Sequence, residues 1–183
     1  GRTKRLNPVV AMGILAAPLL GAALYLRPND ECDACHRAAA SPVTPGQTDS
    51  GGWSRLAATE LDGSHFAMAG LAGKPAILYF WATWCPQCRV QREVLEGLAA
   101  LWGDQVRTVA LSVDDDASAV ERYLAGHAML SHELLASSEL LERFDVEALP
   151  TLVLIDAGGQ VKSVSAGPMD AEQLRSAVEP LLK

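Results

Sequence analysis

Two cysteines stand where the chain changes its hydrophobic period, and that junction constrains the fold more than any other feature. Residues 76–81 read Ala-Ile-Leu-Tyr-Phe-Trp, an unbroken apolar run. A short run of this kind is the pattern of a buried strand. Cys85-Pro86-Gln87-Cys88 follows, and then Val90, Val94, Leu95 and Leu98 recur at helical spacing up to Trp102. Cys85 thus falls at a helix N-terminus, with Pro86 at the first helical position, where its missing N–H costs no hydrogen bond. Unpaired N–H groups and the helix dipole there favour the thiolate. An exposed thiolate attacks a disulfide and forms a mixed disulfide, which Cys88, one turn in and more buried, resolves. The two-residue spacing lets both sulfurs meet across the first turn. Trp84 flanks Cys85 as an apolar contact surface.

Around this junction, residues 53–183 alternate strand and helix patterns. Residues 106–113 read as a second buried strand, and Asp114-Asp115-Asp116 as a solvated acidic cap for a helix reaching about Ala125. Residues 140–144 are helical. Residues 151–155 and 160–165 are strands joined by a turn at 156–159, and residues 170–182 form a closing amphipathic helix. That order gives an α/β sheet with one antiparallel hairpin. A CxxC between strand and helix in such a setting reads as a thioredoxin-like redox motif. Trp81 reads as core and Trp53 and Trp102 as packing, while His65, His127 and His132 show no paired ligand spacing.

Charge divides the chain. The formal net charge is −7 over 183 residues, yet residues 1–27 hold four of the 15 basic residues (Arg2, Lys4, Arg5, Arg27) and none of the 22 acidic ones. The acidic remainder argues against a nucleic-acid binder. Residues 6–26 carry no charge. At helical rise this stretch spans roughly 31 Å, near the hydrocarbon thickness of a bilayer. It is expected to be a single transmembrane helix over residues 1–27, with the basic end cytoplasmic and the remainder extracytoplasmic in the inner membrane. A cleaved signal peptide, with Gly21-Ala22-Ala23 as its cleavage site, is the rival reading.

Residues 28–52 connect the two parts. From Ser41 onward this is a tether of Pro, Gly, Ser and Thr. Before it lies Cys32-Asp33-Ala34-Cys35-His36, and CxxCH is the attachment signature of c-type haem, with two thioethers and an adjacent axial imidazole. About 25 residues are too few to bury a haem alone. A dithiol pair, structural or redox-active, is the equal alternative, and a zinc site lacks a fourth ligand.

The segment Tyr79-Phe80-Trp81-Ala82-Thr83-Trp84-Cys85-Pro86-Gln87-Cys88-Arg89 resembles the active-site stretch of membrane-anchored thioredoxin-like proteins of the TlpA/ResA/CcmG type. Glu60-Leu61-Asp62-Gly63, Leu71-Ala72-Gly73-Lys74-Pro75, and Phe144-Asp145-Val146 with Leu149-Pro150-Thr151 resemble flanking parts of that family. Asp114-Asp115-Asp116 and Glu121-Arg122-Tyr123-Leu124 are similar to its ScsD-like branch. The resemblance implies a thioredoxin-like fold over 53–183, a central mixed sheet flanked by helices. It implies that Pro150 is cis and packs beside the sulfurs with Leu149 next to it. It implies a reductase of protein disulfides, of apocytochromes or copper sites, recharged by a membrane donor of the DsbD/CcdA kind and needing no cofactor for thiol exchange. The chain also departs from the family. Tyr79 stands where thioredoxins have a buried Asp, Gln91 where ResA-like proteins have a Glu, and Glu93 where a Pro is usual. The carboxylate that takes the Cys88 proton is therefore not evident; Glu147 and Glu93 are the candidates. Two other roles stay open: an electron-transfer subunit of a larger membrane complex carrying haem c at Cys32, Cys35 and His36, and a docking module.

Overall fold

The structure is a computed structural model and describes residues 52–183. The expected anchor, the Cys32/Cys35/His36 motif and nearly all of the tether lie outside the described residues. Among the described residues no helix is long and apolar enough to cross a membrane.

The elements in chain order are β1 (Ala57–Glu60), β2 (His65–Ala67), β3 (Ala76–Trp81), α1 (Pro86–Trp102), β4 (Arg107–Ser112), α2 (Ala117–Leu124), β5 (His132–Leu135), α3 (Ser138–Arg143), β6 (Thr151–Ile155), β7 (Val161–Ala166) and α4 (Ala171–Val178). They form one mixed sheet in the order β2-β1-β5-β4-β3-β6-β7. β3 is parallel to β4 and antiparallel to β6, and β4 is parallel to β5. All six residues of β3 are buried, as its unbroken apolar run requires. Their alternation divides the core. Ile77, Tyr79 and Trp81 pack with Leu95 and Leu98 of α1, Val120 of α2 and Leu174 of α4, whereas Leu78 and Phe80 pack with Trp53, Met68, Leu140 and Phe144 on the other face. Burying each of the Leu, Ile, Val, Phe and Met side chains among them contributes about 1.5–3 kcal/mol.

The structure adds three strands to the sequence-based expectation. β1 and β2 form a hairpin whose turn carries Gly63 at φ +85°, a conformation only glycine adopts freely. Strands this short leave almost no periodic signal. β5 escapes notice because a charged residue, Glu133, sits mid-strand and is buried there. The closing helix is also shorter than expected. α4 ends at Val178 and a 3₁₀ turn over Glu179–Leu182 replaces its last turn, since Pro180 has no N–H to continue the α-helix.

Candidate active site

Cys85 is the N-cap residue of α1, and Pro86 follows it at the first helical position. The backbone N–H of Cys88 donates to Cys85 Sγ at 3.2 Å, so the sulfur occupies the place a capping oxygen takes elsewhere. Cys85 and Cys88 are disulfide-bonded, with Cα atoms 5.3 Å apart. Cys85 is 5% exposed and Cys88 fully buried, so an incoming sulfur reaches Cys85 first. Both cysteines stand where the sequence pattern put them.

The loop from β3 to α1 is held from β4. Asp114 accepts from the backbone N–H of Thr83 at 2.8 Å, from Thr83 Oγ1 at 2.8 Å and from Ser112 Oγ at 2.7 Å. The N–H of Cys85 donates to Ala82 O at 3.2 Å, and Arg89 donates to Thr83 O at 3.2 Å. This corrects the reading of the acidic triplet as one solvated cap. Asp116 alone caps α2, accepting from Ser118 N at 2.9 Å, and these hydrogen bonds hold its carboxyl below the ordinary range. Asp114 instead fixes the segment that presents Cys85. The polar triplet was visible in the sequence, but the pairing across 31 residues was not.

Trp84 is 67% exposed beside Cys85. It rims an open groove of about 650 Å³ with Pro86, Val113, Val146 and Leu149. The Leu149–Pro150 bond is cis, as the resemblance implied. Pro150 is buried, its carbonyl accepts from Gly167 N at 2.8 Å, and Thr151 Oγ1 donates to Ala148 O at 2.7 Å, which ties the loop to β6 and β7. Leu149 faces the groove that Cys85 also lines. Of the two candidate proton acceptors, Glu147 lies on the groove rim and is exposed, and Glu93 is exposed on α1.

Beneath the disulfide the groups are neutral or ion-paired. The Tyr79 hydroxyl donates to Cys88 O at 2.5 Å, and burial pushes its phenol far above the usual value, so it stays protonated. Gln91 is 1% exposed, with Oε1 accepting from Met169 N at 2.6 Å. Arg92 is buried and ion-paired to Glu133 at 2.5 Å and to Glu96 at 2.9 Å. Burial lowers the guanidinium's proton affinity, but these two carboxylates outweigh it and hold Arg92 above its usual range. Its charged carbon lies 5.2 Å from the Trp81 ring centre. Sequence reading missed this pair, because a lone Glu and a lone Arg 41 residues apart give no local signal. His127 stacks on Tyr123, and His132 packs against Phe66. Among the described residues no group of three His, Cys, Asp or Glu is placed to hold a metal.

Residues 73–161 match the family described as Thioredoxin-like. The chain is 33% identical over 132 residues to the thiol:disulfide interchange protein DsbE of Yersinia pestis, covering 70% of this chain and 69% of that protein. It is 27% identical over 125 residues to the thiol-disulfide oxidoreductase ResA of Geobacillus kaustophilus, covering 67% of this chain and 72% of that protein. Among solved structures it is similar to a secreted disulfide oxidoreductase of Mycobacterium tuberculosis, at 29% identity and a TM-score of 0.62. That match covers 69% of this chain and 96% of the other.

Proposed function

The chain belongs to the thioredoxin-like thiol-disulfide oxidoreductases of the ResA and DsbE type, and from that premise we propose that it is a membrane-tethered, extracytoplasmic reductase of protein disulfides. Cys85 is the nucleophile and Cys88 the resolving thiol. The observation that carries this is the position of Cys85 Sγ at the α1 N-cap, at the edge of an apolar groove.

In the reduced protein the Cys85 thiolate attacks one sulfur of the substrate disulfide. A protein–substrate S–S bond forms, and the other substrate sulfur leaves as a thiolate and takes up a proton. Cys88 gives up its proton and attacks Cys85 Sγ, which releases the second substrate thiol. The substrate gains two electrons and two protons, and Cys85–Cys88 becomes the disulfide. A membrane dithiol donor of the DsbD/CcdA kind returns the electrons. Trp84, Val113, Val146 and Leu149 bind the apolar flank of an extended substrate, and the cis Pro150 loop fixes that wall. The uncharged, mostly apolar stretch over residues 6–26 and the basic residues before it support the tether.

Mixing the reduced full chain with a peptide carrying a CxxC disulfide tests the proposal. Acid quenching followed by mass analysis should find the peptide two hydrogens heavier as the Cys85–Cys88 disulfide appears. A peptide that stays oxidised while the reduced protein persists contradicts it. The Cys32-x-x-Cys35-His36 spacing also supports the second reading, an electron-transfer subunit with haem c attached there. The mass of the intact, denatured chain decides that reading, because a covalent haem adds its mass and a dithiol pair does not.

A further inference from the structure

Gln91 occupies a place where its two polar atoms have unequal fates. It lies three residues beyond Cys88 on α1, so the two side chains neighbour one another on the helix, and both are buried. Its Oε1 accepts from Met169 N at 2.6 Å, at the turn into α4. A backbone N–H donates and cannot accept, so the oxygen must face Met169 and the NH₂ group must face away. That NH₂ is buried and has no hydrogen-bond partner. Buried donors are seldom left so, because burial removes the water that would have paired with them. Two neighbouring polar groups at this end of α1 are already used: Tyr79 Oη donates to Cys88 O, and Cys88 N donates to Cys85 Sγ.

The cysteines here are in the disulfide form, in which Cys88 Sγ carries no charge and accepts hydrogen bonds poorly. Reduction by a dithiol adds two electrons and two protons, breaks the S–S bond and leaves Cys88 as a thiol that ionises during turnover. A thiolate is a strong acceptor. We propose that Gln91 is a redox-linked hydrogen-bond donor, unpaired while Cys85 and Cys88 are joined and paired with the Cys88 sulfur once the disulfide is reduced. Where the family that this chain resembles has a Glu, this chain carries a neutral donor that stabilises the deprotonated sulfur. The effect is to favour the reduced state over the disulfide and to lower the Cys88 thiol pKa, which speeds the resolving attack. The charged and titratable groups on this side of the sheet include the ion-paired Arg92 and Glu96 on α1 and Glu133 on β5, and the protonated phenols of Tyr79 on β3 and Tyr123 on α2. The inference rests on the reading of Cys85 and Cys88 as the exchanging pair.

The test equilibrates the full chain with reduced and oxidised dithiothreitol, with the Cys85 and Cys88 peptides resolved after alkylation. Gln91→Met removes the donor and the acceptor. The stranded Met169 N–H is common to both redox states and cancels from the equilibrium. Gln91→Glu keeps an acceptor for Met169 N and, with the carboxyl ionised, removes the donor. Both variants should shift the equilibrium toward the disulfide, by about tenfold for Gln91→Met, equivalent to about 30 mV. In a Cys85→Ser background, the pH dependence of alkylation should place the Cys88 thiol pKa higher after Gln91→Met than with Gln91 in place. Potentials unchanged in both variants, or a shifted potential with an unchanged Cys88 pKa, would overturn the inference. A wild-type pair that dithiothreitol does not cycle would instead overturn the reading of the pair, and the inference with it.

Discussion

Asp114 offers a prediction in which geometry and charge can be separated. The Asp114→Ala substitution strands three donors: Thr83 N, Thr83 Oγ1 and Ser112 Oγ. Ser112 is 1% exposed, so water cannot fully replace its lost partner, whereas Thr83 is half-buried and regains some. A hydrogen bond to a charged group contributes about 1.5–3 kcal/mol when protected. With partial rehydration the total loss should be about 2–4 kcal/mol. The larger consequence is kinetic. Freed from β4, the loop before Cys85 loosens, and a displacement of about 1 Å at a reacting group costs on the order of 10²-fold in rate. Asp114→Asn keeps an oxygen for Thr83 N and Ser112 Oγ. Its NH₂ donates to Thr83 Oγ1, which can accept. It should lose less than about 1 kcal/mol and under about tenfold in rate. Urea midpoints give the stability, and kcat/KM for peptide-disulfide reduction gives the rate. Wild-type kcat/KM in a folded Asp114→Ala protein, or equal losses in the Ala and Asn variants, would refute the argument that Asp114 acts by holding the loop.

Other outcomes follow from the same geometry. Glu133→Ala leaves Arg92 charged, fully buried and stripped of its closest partner, so stability should fall by about 3–5 kcal/mol in urea unfolding; a loss under about 1 kcal/mol would mean that Glu96 and solvent suffice. Burial holds the His132 pKa below its ordinary 6.5, against an opposing pull from Glu60, so the unfolded chain binds this proton more readily than the folded one. That stability is present above pH 6.5 and is lost as pH falls below it, so His132→Phe, which keeps a ring against Phe66, should flatten the decline in urea midpoint between about pH 7.5 and 5. Identical slopes in the two proteins would contradict it. Trp84→Ala removes an exposed groove wall without touching α1 packing and should raise KM about tenfold with kcat little changed, whereas a fall in kcat alone would place Trp84 in the chemistry.

The active-site junction was legible because it is local. Six apolar residues, a CxxC and a helical repeat specify β3, Cys85 and α1 without reference to anything distant, and β4, α3, β6 and β7 fell within about two residues of their expected bounds. What escaped depends on partners far along the chain. β5 hides because Glu133 breaks its apolar pattern, and Glu133 is tolerable only because Arg92 reaches it from α1. Asp114 looked like a cap because its partner, Thr83, lies on another strand's exit loop. Gln91 was readable as a departure from the family, but its unpaired NH₂ emerges only when Met169 closes on the other end of the amide.

The central claim is that Cys85 meets the substrate and Cys88 resolves it. Trapping tests this most directly, with the adducts mapped by peptide so that Cys32 and Cys35 are scored separately. A Cys88→Ser chain offered a peptide disulfide should accumulate a mixed disulfide on Cys85, and a Cys85→Ser chain should accumulate none on Cys88. Equal trapping on both cysteines, or adducts on Cys88 alone, would contradict the account.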